Sequence, residues 1–358
     1  MWLMGERLGH TVGLLTRDSS GLSRIRASAG LLAGGLEPDE VALAVRRTGA
    51  RIVHAHNVHP SLGWRSLAAA RDAGARVVLH LHNYRLVCAV GTCFTRGGDC
   101  TRCHGSNTVP GVALRCRGGA AEAVVYGAAL AGWQRRLLAQ ADAVVVPSNF
   151  ARERLRLLGV PLDAGRTHVI PPVVRQFAND SHAAAGDHVL IASRLAVEKG
   201  VEVAIDACRE AGMALVVAGD GPLAGNLRLR ARGGDVRFVG TVGAADLESL
   251  RRRAALALVP SLAAETFGLA AAEAMAAGVP GVASRVGALP ELVEPAGLVA
   301  AGDAHALASA IRARRGDTRA GRRGLNAIRA VSAPETVAPR VAALHATLGE
   351  MGVARPRR

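Results

Sequence analysis

The chain has 358 residues and a formal net charge of +15, from 44 basic and 29 acidic residues. Its length suggests two domains, each able to bury a core, and a hydrophobic fraction of 50% excludes a disordered chain. Aromatic residues make up only 3%, which argues against a single-strand nucleic-acid binder, because such proteins need rings on which bases stack. The arginines are scattered and accompany no nucleic-acid-binding motif. We therefore expect a solvated basic surface and no nucleic-acid partner, with a nucleotide or an anionic membrane as the alternative partner.

One basic residue differs from the rest, because Lys199 is the single lysine in the sequence. Lysine carries a compact point charge on a slender stem, whereas arginine is a planar fork. A composition that otherwise uses arginine marks Lys199 as a position worth locating in the fold.

The start of the chain does not resemble a signal peptide, because it contains the acidic Glu6 and no apolar core segment. No run of about 18 apolar residues predicts a transmembrane helix. We therefore expect a cytoplasmic protein, in which the six cysteines are free thiols or metal ligands rather than disulfides.

Short apolar, β-branched runs alternate with helical segments along the chain. The predicted strands are 51–54, 76–81, 143–146, 188–191, 214–218, 236–239, 256–259 and 281–283. The predicted helices include 66–73, 150–158, 200–211 and 247–255. This alternation predicts an α/β chain with doubly wound, Rossmann-like parallel sheets covered by helices.

The domain boundary is predicted near residue 175, between Pro171-Pro172 and a polar linker at 179–186. This gives an N-terminal domain at 1–175 with a Cys-rich insertion at 88–116, and a C-terminal domain at 176–330. A closing segment at 331–358 is predicted to be a helix that returns to the first domain, followed by a basic tail at 354–358. Ligands of such sheets bind at the carboxyl ends of strands, so we expect the site in a cleft between the domains.

The second half carries an ordered set of motifs. They are SRLAVEKG at 193–200, AGDGP at 218–222, FVG at 238–240, PSLAAETFGLAAAEAMAAGVP at 260–280 and GALPE at 287–291. The set closely resembles the GT-B retaining glycosyltransferases of family 4, which use nucleotide-sugar donors. The resemblance continues in the first half through GHTV at 9–12, IVHAH at 52–56, LHNYR at 81–85 and VPSN at 146–149.

Two glutamates eight residues apart, Glu265 and Glu273, are the strongest candidates for donor recognition. Glu265 is predicted in a loop after a strand, and Phe267-Gly268-Leu269 is predicted to open the next helix, whose unpaired N–H groups suit a diphosphate. The resemblance implies that Glu265 meets the sugar and Glu273 the ribose. The alternative is two glutamates on a helix surface.

The resemblance also places Arg194 and Lys199 on the donor diphosphate, where they would neutralise charge on the leaving group. Taken alone, two cations five residues apart are most often surface charges. Gly219, in a tight turn after a strand, is a further donor-side candidate whose role is equally well explained as structural.

His82 follows a predicted strand, where the resemblance implies a histidine that faces the reacting sugar. His54, His56 and His59 gather at another strand end. A metal site formed by these three is one interpretation, and strand-end packing or acceptor contact is the favoured one. The absence of a D-x-D motif agrees with donor binding that needs no metal cofactor.

Five of the six cysteines fall between residues 88 and 116. Cys100 and Cys103 have the C-x2-C spacing of zinc sites. Cys88, Cys100, Cys103 and Cys116 would close a structural zinc site, with Cys93 or His104 as substitutes. Free or packed thiols are the alternative, and Cys208 is predicted to be a core residue.

An apolar segment at 120–133 is flanked by arginines. Such a segment can lie on an anionic membrane, and the lipid-linked acceptors that the resemblance implies would suit a peripheral position at the inner face of the membrane. An ordinary interdomain helix is the favoured interpretation.

The sequence departs from the family pattern at two places. GHTV is reached within twelve residues, so the N-terminal domain is expected to lack its first strand, and Ile170-Pro-Pro-Val173 replaces the usual residues of that segment. Both departures put the activity of this form in doubt.

The resemblance implies an enzyme that moves a hexosyl-type sugar from a UDP- or GDP-sugar to a hydroxyl of a sugar or lipid-linked acceptor, with retention. Cell-envelope polysaccharide or glycolipid synthesis is the expected setting. The alternatives are an inactive nucleotide-binding GT-B protein, a sugar-nucleotide epimerase, which would lack the paired glutamates, and a basic nucleic-acid or membrane adaptor.

Overall fold

The computed structural model describes residues 2–17 and 24–350, without the side chains of residues 2, 3 and 24. The chain divides into two compact units. Unit 1 takes the residues up to Thr95, Cys100–Ile170 and the segment from Val337 onward, and unit 2 takes Arg96–Asp99 and Pro171–Thr336. The sequence placed the two main boundaries at 175 and 330. The basic tail predicted at 354–358 lies outside the described residues.

Unit 1 is an α/β unit. Its elements are α1 (Trp2–Arg7), α2 (Arg24–Ala33), α3 (Pro38–Thr48), β1 (Ile52–His56), α4 (Gly63–Asp72), β2 (Arg76–His80), β3 (Phe94–Thr95), β4 (Gly98–Asp99), α5 (Val109–Ala113), α6 (Ala120–Gln140), β5 (Ala143–Val146), α7 (Asn149–Leu157) and β6 (Thr167–Val169). Four strands form a parallel sheet in the order β1-β2-β5-β6. β1 is one edge of this sheet, and the described residues before it contain helices but no strand.

The register of β1 and β2 brings histidines together. The two strands pair from Ile52 opposite Arg76 to His56 opposite His80. Since parallel strands end at the same edge of a sheet, the strand-end histidines are adjacent, and His82 follows two residues later.

The apolar segment at 120–133 forms most of α6, and the structure places it in the core of unit 1. Trp133 is 2% exposed and donates its Nε1–H to the carbonyl of Leu31 at 2.7 Å. Gln134, also buried, donates to the carbonyls of Leu86 and Gly105. One face of the segment therefore packs in the core of unit 1, whereas Val124 on another face is 53% exposed, and the membrane contact stays a prediction. None of the described helices combines the length and apolar character needed to cross a membrane.

Unit 2 contains the larger sheet. Its elements are β7 (His188–Ala192), α8 (Val201–Ala211), β8 (Leu215–Ala218), α9 (Ala224–Arg230), β9 (Val236–Gly240), α10 (Ala244–Arg252), β10 (Ala254–Val259), α11 (Leu269–Ala276), β11 (Gly281–Ser284), α12 (Leu289–Leu292), β12 (Leu298–Val299), α13 (Ala304–Arg314) and α14 (Thr318–Ser332), with short 3-10 turns at Ala183–Ala185, Val197–Lys199 and Pro295–Gly297. The parallel sheet has the order β12-β11-β10-β7-β8-β9. A last helix, α15 (Pro334–Glu350), begins at the end of unit 2, and most of its length belongs to unit 1.

The predicted α/β class with parallel sheets is confirmed, although some predicted bounds were wrong. The helix predicted at 247–255 ends at Arg252, and Ala254 and Ala255 belong to β10 instead. Alanine favours helices in isolation, but here both residues are buried in the sheet next to β7. The short strands β6 and β12 were not predicted, because two or three residues are too few to show a periodic pattern.

Candidate functional site

The donor-side motifs converge at the carboxyl edge of the sheet in unit 2. The segment Ser193–Gly200 follows β7, and the loop Pro260–Gly268 follows its neighbour β10. Backbone hydrogen bonds join the two segments, since Leu262 and Ala263 both donate their N–H to the carbonyl of Glu198. The sheet order therefore brings together residues that lie more than sixty positions apart in the chain.

Lys199 and Glu265 are in direct contact in this arrangement. Lys199 Nζ lies 2.7 Å from Glu265 Oε1, and Ser261 Oγ donates to the same oxygen at 2.7 Å. Both charged side chains are partly exposed, at 28% and 20%. A partly exposed ion pair of this kind contributes at most about 1 kcal/mol to the stability of the fold. A phosphate can therefore replace Glu265 as the partner of Lys199, and a hydroxyl group can replace Lys199 as the partner of Glu265, at little cost.

Two glycines allow the loops to approach this closely. A Cβ at Gly200 would lie 2.0 Å from the carbonyl oxygen of Pro260, and one at Gly287 would lie 2.3 Å from the N atom of Glu265. Both glycines have positive φ, at 63° and 60°, a region that other residues enter at a cost. Ala288 donates its N–H to the Glu265 carbonyl at 2.9 Å, so the GALPE segment fixes the backbone of Glu265 from one side.

The start of α11 presents backbone to the same edge. Gly268 precedes the helix with φ 97°, and a Cβ there would lie 2.6 Å from Leu289 Cδ2. Phe267 is buried at 5% exposure and Leu269 begins the helix. The first N–H groups of a helix lack partners within it and favour an anion, so this turn can hold a phosphate.

Glu273, in the second turn of α11, forms an ion pair with Arg251 of α10. Arg251 is buried at 9% exposure, and Glu248 Oε2 lies 4.0 Å from its Nη1. Sequence reasoning missed Arg251, because it lies in a run of three arginines that is typical of a solvated helix face. Only the packing of α10 beside the sheet distinguishes it.

Arg194 is the most exposed of the predicted donor residues. Its side chain is 62% exposed and pairs with Glu198 four residues later. Gly219, at the end of β8, has φ 130°, and a Cβ there would lie 2.0 Å from the Ser193 carbonyl oxygen. Gly219 is therefore needed for the close approach of two backbone segments, which supports the structural explanation of its presence.

The histidines of unit 1 form a second group, at the carboxyl edge of the other sheet. His56 Nδ1 lies 2.7 Å from His82 Nε2, and the two rings stack at 5.0 Å. His54 Nδ1 lies 2.8 Å from His80 Nε2, and His54 Nε2 lies 2.9 Å from His345 Nε2 in α15. His80 and His345 were missed by sequence reasoning, because one is inside a strand and the other is almost three hundred residues away.

His59 does not belong to this group. Its ring stacks on Trp133 at 4.7 Å between centroids. This contact agrees with the favoured interpretation, packing near the strand end, and not with a metal site formed by His54, His56 and His59.

Burial lowers the pKa of these imidazoles. Desolvation, followed by the nearby His345, lowers the pKa of His54 to about 3, and desolvation together with His82 lowers the pKa of His56 to about 4. The pKa of the buried His80 lies well below its usual value for the same first reason. His82 is exposed, yet the residues around it still lower its pKa by desolvation. The group is therefore uncharged at neutral pH.

A cavity of about 300 Å³ adjoins these histidines within unit 1. Its lining is mixed polar and apolar, and consists of Asn57, Val58, His59, Leu79, His80, Leu81, His82, Asn83, Arg85, Leu86 and Leu137. A volume of this size accommodates a small polar molecule.

Five cysteines of the insertion line one smaller cavity of unit 1, namely Cys88, Cys93, Cys100, Cys103 and Cys116. A hydrogen bond from the Cys93 side chain, assisted by backbone N–H groups and opposed by burial, lowers the pKa of Cys88 to about 6. His104, a predicted substitute ligand, is not part of this lining. Cys208 is buried in the helix α8, and burial raises its pKa to about 12.

Two family models match the chain. The glycosyl transferase 4-like domain matches residues 5–173, and the group 1 glycosyl transferases match residues 186–315. The chain belongs to the group 1 glycosyltransferases of family 4. The matched ranges contain both histidine-bearing strands and the whole donor-side set of motifs.

Curated relatives of this family 4 chain include two bacterial proteins. A GDP-mannose-dependent alpha-(1-6)-phosphatidylinositol dimannoside mannosyltransferase of Mycobacterium tuberculosis is 35% identical over 192 residues, which are 49% of this chain and 50% of the relative. The amylovoran biosynthesis glycosyltransferase AmsK of Erwinia amylovora is 32% identical over 49% of this chain and 47% of its own. The chain spans about half the length of these curated relatives.

Solved structures establish the GT-B fold for this family member. A sucrose-phosphate synthase from Thermosynechococcus elongatus superposes with a TM-score of 0.67 at 22% identity, over 95% of this chain and 82% of that one. HepE of Anabaena, solved in complex with UDP and glucose, gives a TM-score of 0.59 at 20% identity, over 87% and 81%. The prediction of two Rossmann-like domains agrees with this fold.

Proposed function

We propose that this protein is a retaining glycosyltransferase that moves a hexosyl-type sugar from a nucleotide-sugar donor to a hydroxyl group. The observation that carries the proposal is the cluster of Glu265, Lys199 and Ser261 at the start of α11. It combines a cation for phosphate and a carboxylate for sugar hydroxyls within hydrogen-bond distance. Group 1 family membership supports the same reaction class.

The roles proposed for the donor side follow from position. The backbone of Phe267, Gly268 and Leu269 at the helix start, with Lys199, would receive the diphosphate. Arg194, exposed and held by one ion pair, can swing to the same group. Positive charge here would stabilise the leaving nucleotide as the sugar–oxygen bond breaks.

Two carboxylates would hold the sugars of the donor. Glu265 would accept hydrogen bonds from the transferred sugar, and Glu273 from the ribose hydroxyls. Arg251 fixes the position of Glu273 through the ion pair described above. His82, at a strand end in unit 1, is proposed to contact the reacting sugar. No metal cofactor is proposed for the transfer.

A UDP- or GDP-sugar is the proposed donor, and a sugar or lipid-linked acceptor in cell-envelope polysaccharide or glycolipid synthesis is the proposed partner. The named relatives support this, because one is a GDP-mannose-dependent phosphatidylinositol dimannoside mannosyltransferase and another is an amylovoran biosynthesis glycosyltransferase. A cytoplasmic protein, peripheral at the inner face of the membrane, would meet such an acceptor.

We also propose a structural zinc ion held by Cys88, Cys100, Cys103 and Cys116. Their shared cavity supports this, and the lowered pKa of Cys88 favours a thiolate there. Among the described residues, the ligand atoms that already lie close enough for one ion belong to histidines and not to these cysteines. Zinc binding would therefore require the cysteine loop to close further. Elemental analysis of the purified protein tests it: zinc in stoichiometric amount is expected, and its absence together with titratable native thiols would exclude the site.

The function is tested by incubating the chain with a panel of UDP- and GDP-sugars and with sugar and lipid-linked acceptors. Transfer with retention of the anomeric configuration, read by NMR, is expected, together with loss of turnover in Glu265→Gln. Glu202→Gln, an exposed glutamate of α8, is the matched control. Donor binding without transfer or hydrolysis across the panel would favour an inactive nucleotide-binding protein, and epimerised donor without acceptor would favour an epimerase.

A further inference from the structure

We propose that His56, His80 and His82 form a binding site for a divalent transition-metal ion such as Zn²⁺, and that an ion bound there inhibits the protein. The three residues lie at the carboxyl ends of β1 and β2 and immediately beyond. Binding itself is independent of the proposed transfer, and only the inhibition rests on it.

The distances suit one ion. Each of the three rings offers a nitrogen, and these atoms all lie within 4.8 Å of one another. Zinc binds imidazole nitrogens at about 2.0–2.1 Å with tetrahedral angles, which sets neighbouring nitrogens about 3.3 Å apart. Binding would require the stacked rings to turn toward the ion, and the hydrogen bond between His56 Nδ1 and His82 Nε2 to be replaced by bonds to the metal.

The rings lie close together before any ion arrives. His56 stacks on His80 at 4.1 Å and on His82 at 5.0 Å, with interplanar angles of 20° and 12°. The strand register fixes His56 opposite His80. The strand register therefore keeps His56 and His80 adjacent before an ion binds, and their rings then have to turn toward it.

Neighbouring histidines supply the outer hydrogen bonds that metal ligands require. The bond between His80 Nε2 and His54 Nδ1 orients the His80 ring, and His54 is held in turn by His345. Such partners fix the tautomer and direction of a metal-binding imidazole. The chain of imidazoles reaches from the site to α15.

The type of ligand decides which ions fit the site. Nitrogen ligands select zinc, cobalt, nickel or copper over magnesium or calcium, which prefer oxygen.

The site is reachable and leaves space for a further ligand. His80 is buried, His56 is half-buried and His82 is exposed, so an ion can enter from the side of His82. The adjoining cavity, lined by His80, His82 and Arg85, has room for water or a small anion in the fourth position. Arg85 favours an anion there.

The consequence for transfer follows from His82. In the proposed function this side chain contacts the reacting sugar, and a metal ion bound to its ring would compete with that contact. An occupied site should therefore block turnover until a chelator removes the ion.

Co²⁺ titration of the full chain tests the site. Cobalt bound by imidazoles gives weak visible bands, whereas cobalt bound by thiolates adds strong ultraviolet charge transfer, so the spectrum separates the histidine site from the cysteine cavity. We expect one Co²⁺ with the imidazole spectrum in the wild type, and loss of that spectrum in His56→Ala and His82→Ala. His305→Ala is the control, because this exposed histidine lies in α13.

Folding and inhibition need separate readouts. His82→Asn, at an exposed position, provides a second variant. If it melts like the wild type but no longer binds cobalt, the loss of binding is not due to unfolding and the site is supported. Wild-type cobalt spectra in both His56→Ala and His82→Ala would overturn it, whatever the result of the transfer assays. Binding that leaves an active transferase uninhibited would overturn the inhibition alone, and failure of the donor panel would count against the proposed function without affecting the spectrum.

Discussion

At the residue scale, the single lysine of the chain lies beside the carboxylate that is proposed to meet the sugar. Lys199 contacts Glu265 through its Nζ, at the end of a 3-10 turn whose following residue, Gly200, packs against the Pro260 backbone. A compact point charge reaches a single carboxylate oxygen, whereas a planar fork would have to occupy more space beside it. The contact is therefore one reason to expect that lysine is preferred here in an arginine-rich chain.

Lys199→Ala should lower turnover by about 100- to 1000-fold, since removing one positioned donor from a developing charge costs about 2.7–4 kcal/mol. The turnover of Lys199→Arg should lie between those of the wild type and Lys199→Ala, because arginine keeps the positive charge but not the compact shape of the lysine head group. Steady-state kinetics with the preferred donor measure both. Arg319→Ala, an exposed arginine of α14, is the matched loss of one cation and should retain activity. Full activity in Lys199→Arg would show that the choice of lysine is coincidental.

At the element scale, the loops around Glu265 are shaped by close contacts between backbone segments. Glycines at strand ends and turns allow these approaches, and the sheet order decides which loops meet. The same principle acts in unit 1, where the register of β1 and β2 sets the histidines side by side. Both groups of candidate residues therefore depend on parallel strands that end at a common edge.

Gly287→Ala should destabilise the protein and also displace Glu265. A Cβ at this position would lie 2.3 Å from the Glu265 N atom, in addition to the strain of φ 60°. Gly212→Ala is the matched control, because Gly212 has φ 65° and no neighbour within 4 Å of its added Cβ. The control should lose about 1–2 kcal/mol of unfolding free energy from the left-handed backbone alone. A larger loss with impaired turnover is expected only for Gly287→Ala, and equal effects in both variants would refute the role of the contact.

Stability should fall as the pH drops from about 6.5 toward 4, because buried histidines must stay neutral in the folded protein. Burial, followed by the charge of Arg85, lowers the pKa of His59 to about 3, against about 6.5 in the unfolded chain. Between these values the unfolded state binds the extra proton, so the free energy of unfolding decreases by up to about 1.4 kcal/mol per pH unit for each such histidine.

His59→Phe isolates this contribution, because phenylalanine can keep the stacking on Trp133 without a titrating group. Denaturant unfolding between pH 7 and pH 4 should show a shallower loss of stability in His59→Phe than in the wild type. His305→Gln, at an exposed position, should follow the wild-type curve. An unchanged slope in His59→Phe would contradict the assignment.

At the scale of the whole molecule, the two units differ in how the chain builds them. Unit 2 is made mainly from one continuous stretch, whereas unit 1 combines an N-terminal stretch with most of α15. Leu344 and Leu348 of α15 are buried at 2%, and His345 between them bonds to His54 of β1. Helix α15 therefore supplies part of the core of unit 1.

Leu344→Ala should destabilise unit 1 by about 2–5 kcal/mol through the cavity that it leaves. Because two units can unfold separately, a probe confined to unit 1 is needed. Trp2, Trp64 and Trp133, the only tryptophans of the sequence, all belong to the segments of unit 1, so intrinsic fluorescence reports it. Thr347→Ala, an exposed site of the same helix, should change the fluorescence midpoint little. Equal midpoints for Leu344→Ala and the wild type would show that α15 does not stabilise unit 1.

The sequence by itself determined the α/β class and the family. Continuous apolar strands alternating with helices require buried parallel sheets, and the spacing from SRLAVEKG to GALPE identified the group before any contact was known. Local patterns carry this information because strand burial and turn chemistry act over a few residues. The proposed roles of Glu265, Lys199 and His82 also came from the sequence and await experiment.

Only the tertiary structure decided which residues meet. Arg251 forms an ion pair with Glu273, and His345 forms a hydrogen bond with His54. His59 stacks on Trp133. None of these contacts has a local signature, because strand order and helix packing bring together residues that are distant in the chain. The same packing brings His56, His80 and His82 together, whereas the sequence had grouped His54, His56 and His59.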